Sequence, residues 1–437
     1  MTTTNDPTAS AASEGKHFRW LQLIMGVVCM AMIANLQYGW TLFVDPIDAK
    51  YHWGRSAIQL AFTLFVVTET WLVPVEAWFV DKYGPRFVVA FGGVMVAIAW
   101  VLNSYADSLA LLYTAAILGG IGAGAVYGTC VGNALKWFPD HRGLAAGATA
   151  AGFGAGAALT VAPIAKMIAA SGYESAFFNF GIGQGLIVLV VAFILRPPTR
   201  AMPAKKKQLN LPQTKVDYTP AQVLRSPIFW IMYLVFVMVA AGGLMTAAQI
   251  APIAHDFKIA DVPVSMFGFQ MAALTFAISL DRIFDGFGRP FFGFVSDNIG
   301  RENTMFIAFS TAAAMLLTLS VYGHNPIVFV FATAVYFGVF GEIYSLFPAT
   351  SGDTFGVKFA TTNNGMLYTA KGTAALLVPL ASLVAANYGW QAVFVIAVAL
   401  NATAALMAFF VIKPLRRAFI LGSEAPADST ARNARVA

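Results

Sequence analysis

Charge is what this 437-residue chain has least of: Asp, Glu, Lys and Arg make up 11% of it, against roughly 25% in ordinary soluble domains. Cysteine is scarce too. Cys29 and Cys130 are the only two, both inside apolar runs, which excludes a disulfide framework. The five His residues fall in loops or tails, so no His cluster stands at membrane depth for a metal or a proton relay. No nucleophile–base pair or metal cluster is visible within the apolar runs, which argues against an integral membrane enzyme. Two glycine-rich pieces, "GGIGAG" (119–124) and "GFGAG" (152–156), carry the spacing of nucleotide loops. They lack a preceding strand and a P-loop Lys, so they read instead as small residues that let helices approach closely. No nucleotide or other cofactor is therefore expected. Residues 1–19 lack a small-residue cleavage site, so no removable signal peptide is expected.

Apolar residues fill the space that charge leaves: 58% of the chain, with a mean hydropathy of +0.70. They are gathered in runs of about 20 residues, enough to cross a hydrocarbon core of about 30 Å. Twelve such runs can be read, at 20–44, 57–79, 86–104, 108–131, 143–169, 176–195, 227–252, 264–293, 303–322, 326–348, 359–386 and 390–412. With both termini on one side, four of the 27 Lys and Arg fall outside (Lys50, Arg55, Lys166, Lys258). Three lie in spans (Arg282, Arg289, Lys371), and all the others fall on the side of the termini. This positive-inside bias makes the termini cytoplasmic and accounts for the net charge of +6 without a nucleic acid partner. Residues 196–226 hold five Pro and seven Lys/Arg against the single Asp217, and read as a cytoplasmic linker. The expected organisation is a tail (1–19), a six-helix bundle (20–195), this linker, a second six-helix bundle (227–412) and a tail (413–437).

One span breaks the apolar rule. The segment "DRIFDGFGRPFFGFVSDNIGR" (281–301) places Asp281, Arg282, Asp285 and Arg289 within an apolar run, where each charge costs about 2.5–3.5 kcal/mol on insertion scales. Asp285 and Arg289 are i,i+4 and share a helix face, with Asp281 and Arg282 within about 80° of Arg289. Two readings are open: a self-neutralising ladder, or a stripe facing an aqueous cavity with Arg289 free to hold a carboxylate. Lys371 has no acid within a helical turn on its own span, so its partner comes from another helix or from a ligand. Glu69 and Glu342 are further acids at span depth, with Glu76 near the end of the second span. Gln37 and Gln59 need partners in lipid, and Tyr38, Tyr127, Tyr344 and Tyr368 are either core or ligand-facing.

The chain also repeats itself. "FVDKYGPR" (79–86) follows the second span and "FVSDNIGR" (294–301) the eighth, with Asp81 and Asp297 216 residues apart. "KWFPDHRGLAAG" (136–147) and "SLFPATSGDTFG" (345–356) form a second echo. The loop pattern G-x-x-x-D-x-x-G-R resembles that of the major facilitator superfamily. Gly293, Asp297, Gly300 and Arg301 match it, while the first copy keeps Asp81, Gly84 and Arg86 with Ala77 at the first Gly. "NLQYGWTLF" (35–43), "AFTLF" (61–65), "GRPFFGFVSDNIGR" (288–301), "YSLFPATSGDTFG" (344–356) and "YTAKGTAA" (368–375) further resemble the oxalate:formate antiporter family.

That resemblance implies an all-α integral membrane fold of twelve transmembrane helices in two pseudo-symmetric six-helix bundles. It also implies a substrate site near the midplane. Arg289 and Lys371 would bind substrate carboxylates, and Gln37, Tyr38, Gln59 and Tyr127 would be walls of the site, which Tyr344 and Tyr368 would join. Asp285, Asp281, Arg282, Glu69 and Glu342 would tune charge or carry protons. The expected activity is secondary active transport of small carboxylate anions in the cytoplasmic (inner) membrane, by oxalate:formate antiport and as a monomer. The alternatives are proton-coupled monocarboxylate symport, since the Asp285/Arg289 pair also resembles that of monocarboxylate transporters, and a non-transporting carboxylate sensor.

Overall fold

A computed structural model describes residues 7–198, 212–266 and 268–424. Among these, nine helices are long and apolar enough to cross a membrane, ten when Ala57–Trp71 and Val73–Tyr83, bent by 40°, count as one. Two more spans complete twelve. Ala273–Ile299 is as long as the others but carries the charges of 281–297. Ala360–Ala375 continues into Val378–Met407, and that helix is broken at Gly389 (φ 76°), which separates span eleven from span twelve.

In chain order the spans are as follows. Span one is Pro7–Ile33, Asn35–Tyr38 and Thr41–Tyr51; span two is Arg55–Trp71 with Val73–Tyr83. Spans three to six are Pro85–Ser104, Leu109–Trp137, Arg142–Ser171 and Tyr173–Ala192. In the second half, spans seven to nine are Pro227–Asp256, Ala273–Ile299 and Arg301–Tyr322. Span ten is Pro326–Phe340 with Ile343–Phe355. The start of span eight departs from its apolar run. Pro263–Met266 (β1) and Phe269–Ala272 (β2) form an antiparallel hairpin with Val264 opposite Met271, and the helix begins only at Ala273. The hairpin lies at the end of the bundle opposite the linker.

The halves meet along spans two and eleven and along spans five and eight, with spans four and ten behind them. Small residues make this possible, because two helices can come close only where no Cβ intervenes. A Cβ on Gly147 of span five would run into the backbone of Arg289 and Pro290 on span eight, and Gly143 and Gly293 face each other in the same way. Within the first half the two glycine-rich pieces do the same. Gly120 and Gly124 lie on the backbone of span two, Gly122 on span three, and Gly152 and Gly156 on span one. Span one breaks at Ala34–Trp40, span two at Leu72, span ten at Gly341–Glu342 and span eleven at Leu376–Leu377. A broken helix inside a bundle leaves backbone groups that line polar space.

The linker side is where chain and charge accumulate. Residues 212–218 lie against the end of span ten: the Thr214 amide donates to the Asp353 carbonyl and the Tyr218 amide to that of Phe355. Asp217 accepts from the amides of Val357 and Lys358. The last helix, Lys413–Glu424, docks on the same end through Arg416, which bonds Glu302 and donates to Thr354 Oγ1 (2.9 Å).

The interface glycines carry a test. Gly147→Val inserts bulk where the backbones of spans five and eight touch, and overpacking of this kind costs about 1–3 kcal/mol. The purified variant should therefore melt several degrees below the parent or be lost from the monodisperse peak. Gly183→Val, where a Cβ meets nothing within 4 Å, should match the parent in the same thermal assay.

Candidate functional site

Two cations from the second half lie against one aromatic ring. The Arg289 guanidinium of span eight sits 4.9 Å from the Tyr344 ring centre and the Lys371 ammonium of span eleven 6.0 Å from it. Both side chains are buried, Arg289 at 2% and Lys371 at 4% exposure. A buried cation needs a partner, and each has a carboxylate. Arg289 Nη2 donates to Asp285 Oδ2 (2.6 Å), one turn earlier on the same helix. Lys371 Nζ donates to Glu69 Oε2 (3.0 Å), which comes from span two in the other half.

Arg289 also reaches across. Its Nη1 donates to the Ala150 carbonyl of span five (2.9 Å), while its Nε finds no partner among the described residues. Lys371 is surrounded more fully. Tyr368 Oη lies 3.0 Å from Nζ and donates to Glu69 Oε1 (3.3 Å), and Gln37 Oε1 of span one accepts from Nζ (3.3 Å). The aromatic wall runs through both halves. Tyr127 stacks on Tyr368 (4.4 Å), Phe153 meets Tyr127 (5.9 Å) and Tyr38 (5.3 Å) edge-on, and Tyr344 meets Tyr368 (6.3 Å). Two positive charges, two carboxylates and five rings thus close over one place where spans one, two, four, five, eight, ten and eleven converge.

Most of the expected residues are gathered here, but not all. Arg289, Lys371, Gln37, Tyr38, Tyr127, Tyr344, Tyr368, Asp285 and Glu69 belong to the cluster. Gln59 does not: it is exposed near the start of span two, ten residues or about 15 Å of helix before Glu69. The charged stripe of span eight also divides. Asp281, Asp285 and Arg289 are buried, whereas Arg282 is exposed and lies over the Tyr38 ring at 5.1 Å. Asp281 turns toward Thr333 of span ten. Glu342, at the break of span ten, is fully buried, and its carboxylate has no partner side chain among the described residues.

The repeated loop motif forms a second cluster, at the linker side. Asp81 accepts from Lys136 Nζ (2.6 Å) and from the amide (2.8 Å) and hydroxyl (2.6 Å) of Thr362, in the first turn of span eleven. Asp297 accepts from Arg301 (2.6 Å) and from the amides of Gly143 (3.0 Å) and Leu144 (2.9 Å), in the first turn of span five. Each motif carboxylate therefore satisfies free N–H groups at the start of a helix of the opposite half, where the helix dipole also favours negative charge. Gly84 (φ 89°) and Gly300 (φ 101°) turn the chain directly after each motif, a conformation that disfavours any side chain. The arginines are not equivalent: Arg86 donates to the Leu195 carbonyl (2.9 Å), whereas Arg301 Nε donates to Asp353 (2.8 Å).

Asp353 was not anticipated. It is fully buried and takes Arg301 from its own half and Arg142 (2.5 Å) from the other. The signal was present, because Arg142 and Asp353 lie in the two echoing segments 136–147 and 345–356. These linker-side bonds carry a test. Removing one partner of a buried ion pair costs about 3–5 kcal/mol. Asp353→Asn should therefore open the linker side, so that a cysteine at Ala360 in a Cys29→Ser/Cys130→Ser background reacts with an impermeant thiol reagent about tenfold faster or more. Glu174→Gln, which removes an exposed pair with Lys50 at the other end, should leave that rate unchanged.

Comparison with known proteins agrees with this fold. The Major Facilitator Superfamily family model matches residues 23–289 and 245–433. An oxalate:formate antiporter of Oxalobacter formigenes is 35% identical over 415 residues, 94% of this chain and 96% of that one. A 38 kDa protein of Thermoproteus tenax is 30% identical, covering 80% and 84% of the two chains. Monocarboxylate transporter 12-B of Danio rerio is 24% identical over 74% and 72%. In fold, the chain matches the proton:xylose symporter XylE with a TM-score of 0.73 over 91% of this chain and 96% of that one, at 10% identity. A central site made by two pseudo-symmetric halves, a half-chain repeat whose aspartates cap the opposite half, and a near full-length relative lead to one assignment: the chain belongs to the oxalate:formate antiporter family of the major facilitator superfamily.

Proposed function

We propose that the protein is a secondary transporter that exchanges oxalate for formate across the cytoplasmic membrane by alternating access. In this reading it acts as a monomer, with both termini and the linker on the cytoplasmic side, as the distribution of Lys and Arg favours. The observation that carries the reading is the pair of buried cations beside the Tyr344 ring, each already holding a carboxylate of the protein. Asp285 and Glu69 fill the places that the two ends of a small dicarboxylate would take. Arg289 suits a carboxylate because its fork donates two parallel bonds, and its Nε is an unused donor. The rings of Tyr38, Tyr127, Phe153, Tyr344 and Tyr368 exclude water, which strengthens both contacts.

Alternating access then follows from the distribution of bonds. Asp81, Asp297 and the Arg142–Asp353 pair hold the linker side closed, which in this reading is the cytoplasmic side. Reversal would require these bonds to break while others form near the hairpin. Gln59, on an exposed face toward that end, is available for such a contact rather than for the substrate.

A second reading, proton-linked uptake of a monocarboxylate, is favoured by one observation, the Asp285–Arg289 ion pair. An aspartate that releases its arginine to the substrate can take a proton in the same step. Proteoliposomes separate the two. For exchange, labelled oxalate should enter only vesicles preloaded with formate or oxalate. Arg289→Ala should abolish this, and Lys371→Met should reduce oxalate exchange about a hundredfold while formate–formate exchange persists. Lactate uptake into empty vesicles driven by external acid, lost in Asp285→Asn and retained in Lys371→Met, would establish symport instead.

A further inference from the structure

Both cations of the central site already hold a carboxylate, so an arriving anion must displace one before it can bind there. Arg282 has nothing to displace. It is exposed, its guanidinium lies 5.1 Å from the Tyr38 ring centre, and no carboxylate is bonded to it among the described residues. Its sequence neighbour Asp281 turns away to Thr333 of span ten. A guanidinium seated on a ring face keeps the N–H groups along its edge free, and that edge matches a carboxylate.

Depth decides what surrounds Arg282. It stands nine residues into span eight, about 14 Å of helix from Ala273 at the hairpin end. A charge at that depth faces protein or a water-filled space rather than lipid. Thr275, Ser279 and Arg282 are exposed, and at Gly286 a Cβ would meet nothing within 4 Å. Spaced four, three and four residues apart, these positions follow one side of the helix, and Arg289 comes three residues later. The most exposed apolar side chains of the span, Ile283, Phe287 and Phe294, follow a second line and mark the lipid face. A polar, open strip therefore descends from the hairpin end past Arg282 toward Arg289, about 10 Å further along the helix. Tyr38 joins the two places. Its ring lies under Arg282 and edge-on to Phe153 in the wall of the central site, and it stands within the field of Arg289.

We propose that Arg282, seated on Tyr38, is an outer anion subsite: it captures carboxylates entering from the hairpin end and favours dianions over monoanions before Arg289 and Lys371 are reached. The preference follows from charge. Arg282 acts on an anion across water, where the attraction is proportional to the anion's charge. Energy enters an equilibrium constant exponentially, so the local enrichment of a dianion is the square of that of a monoanion. Salt screens this exposed cation strongly and the buried Arg289 and Lys371 far less.

The subsite rests on the proposed exchange activity, and its test separates the two. Labelled oxalate is exchanged into oxalate-loaded proteoliposomes, and labelled formate into formate-loaded ones, at low ionic strength. In Arg282→Gln the KM should rise about threefold for formate and about tenfold for oxalate, with each maximal rate within about twofold of the parent. Arg282→Met, which keeps the apolar stem over Tyr38, should repeat that result, and Arg282→Lys, which keeps the charge, should stay near the parent. Lys258→Gln removes an exposed cation at the same end of the bundle but off span eight, and should leave both KM values unchanged. In about 0.5 M inert salt, where the Debye length falls to about 4 Å, the parent and Arg282→Gln should converge. An effect no larger for oxalate than for formate overturns the subsite and leaves exchange standing. So does an effect that persists in salt, a parent-like Arg282→Met, or a fall in maximal rate with KM unchanged. If the parent exchanges neither anion, the exchange reading and the subsite both fail.

Discussion

An ionised group inside a bilayer must have a partner, and in this molecule the partners repeatedly come from the opposite half. Lys371 finds Glu69, Asp81 finds the first turn of span eleven, Asp297 the first turn of span five, and Asp353 binds Arg142. The charges are thus not simply tolerated by an apolar fold. They state where the two halves touch, and each such contact must be remade or released when the halves rock. A hydrophobic interface would have no comparable registry, because lipid and a neighbouring helix are equally apolar. The glycines at 143, 147 and 293 serve the same interface by letting the backbones close to the distance at which those bonds form.

The central and linker-side clusters differ in what they offer a ligand. At the linker side every motif carboxylate is satisfied by fixed donors: two backbone amides and an Arg for Asp297, and an amide, a hydroxyl and a Lys for Asp81. Such sites are latches, with both oxygens of each motif carboxylate engaged. At the centre, Arg289 has an unused Nε, Asp285 has an oxygen without a partner, and Glu342 is buried without one. In the proposed exchange, this incomplete pairing beside a ring of aromatics is where a small anion would enter and rearrange the bonds.

Much of this was legible in the sequence, for identifiable reasons. Apolar run length sets the spans, and the i,i+4 spacing of Asp285 and Arg289 foretells their bond because helix geometry alone determines it. That Lys371 lacks a local acid correctly points to a partner on another helix. Which acid it takes depends on the crossing of spans two and eleven, and no local pattern encodes that. Tertiary geometry also decides the exceptions. Gln59 was placed among the walls of the site by the family resemblance, but depth along the helix removes it from the cluster. Arg282 shares a helix with Arg289, yet its azimuth carries it to Tyr38. The apolar run 264–293 hid a hairpin, because four-residue strands rich in apolar side chains do not differ from a helix start by composition. Asp353 was marked only by the second echo, because the partners that make it a site lie 52 and 211 residues away.

The account depends on the two buried carboxylates standing where a substrate's carboxylates go. A structure of the carrier with oxalate bound tests that directly. The anion should bridge Arg289 and Lys371 beside the Tyr344 ring, with the Asp285 and Glu69 carboxylates withdrawn beyond hydrogen-bonding distance of the two cations. Oxalate bound elsewhere, with the Arg289–Asp285 and Lys371–Glu69 pairs both intact, would contradict it.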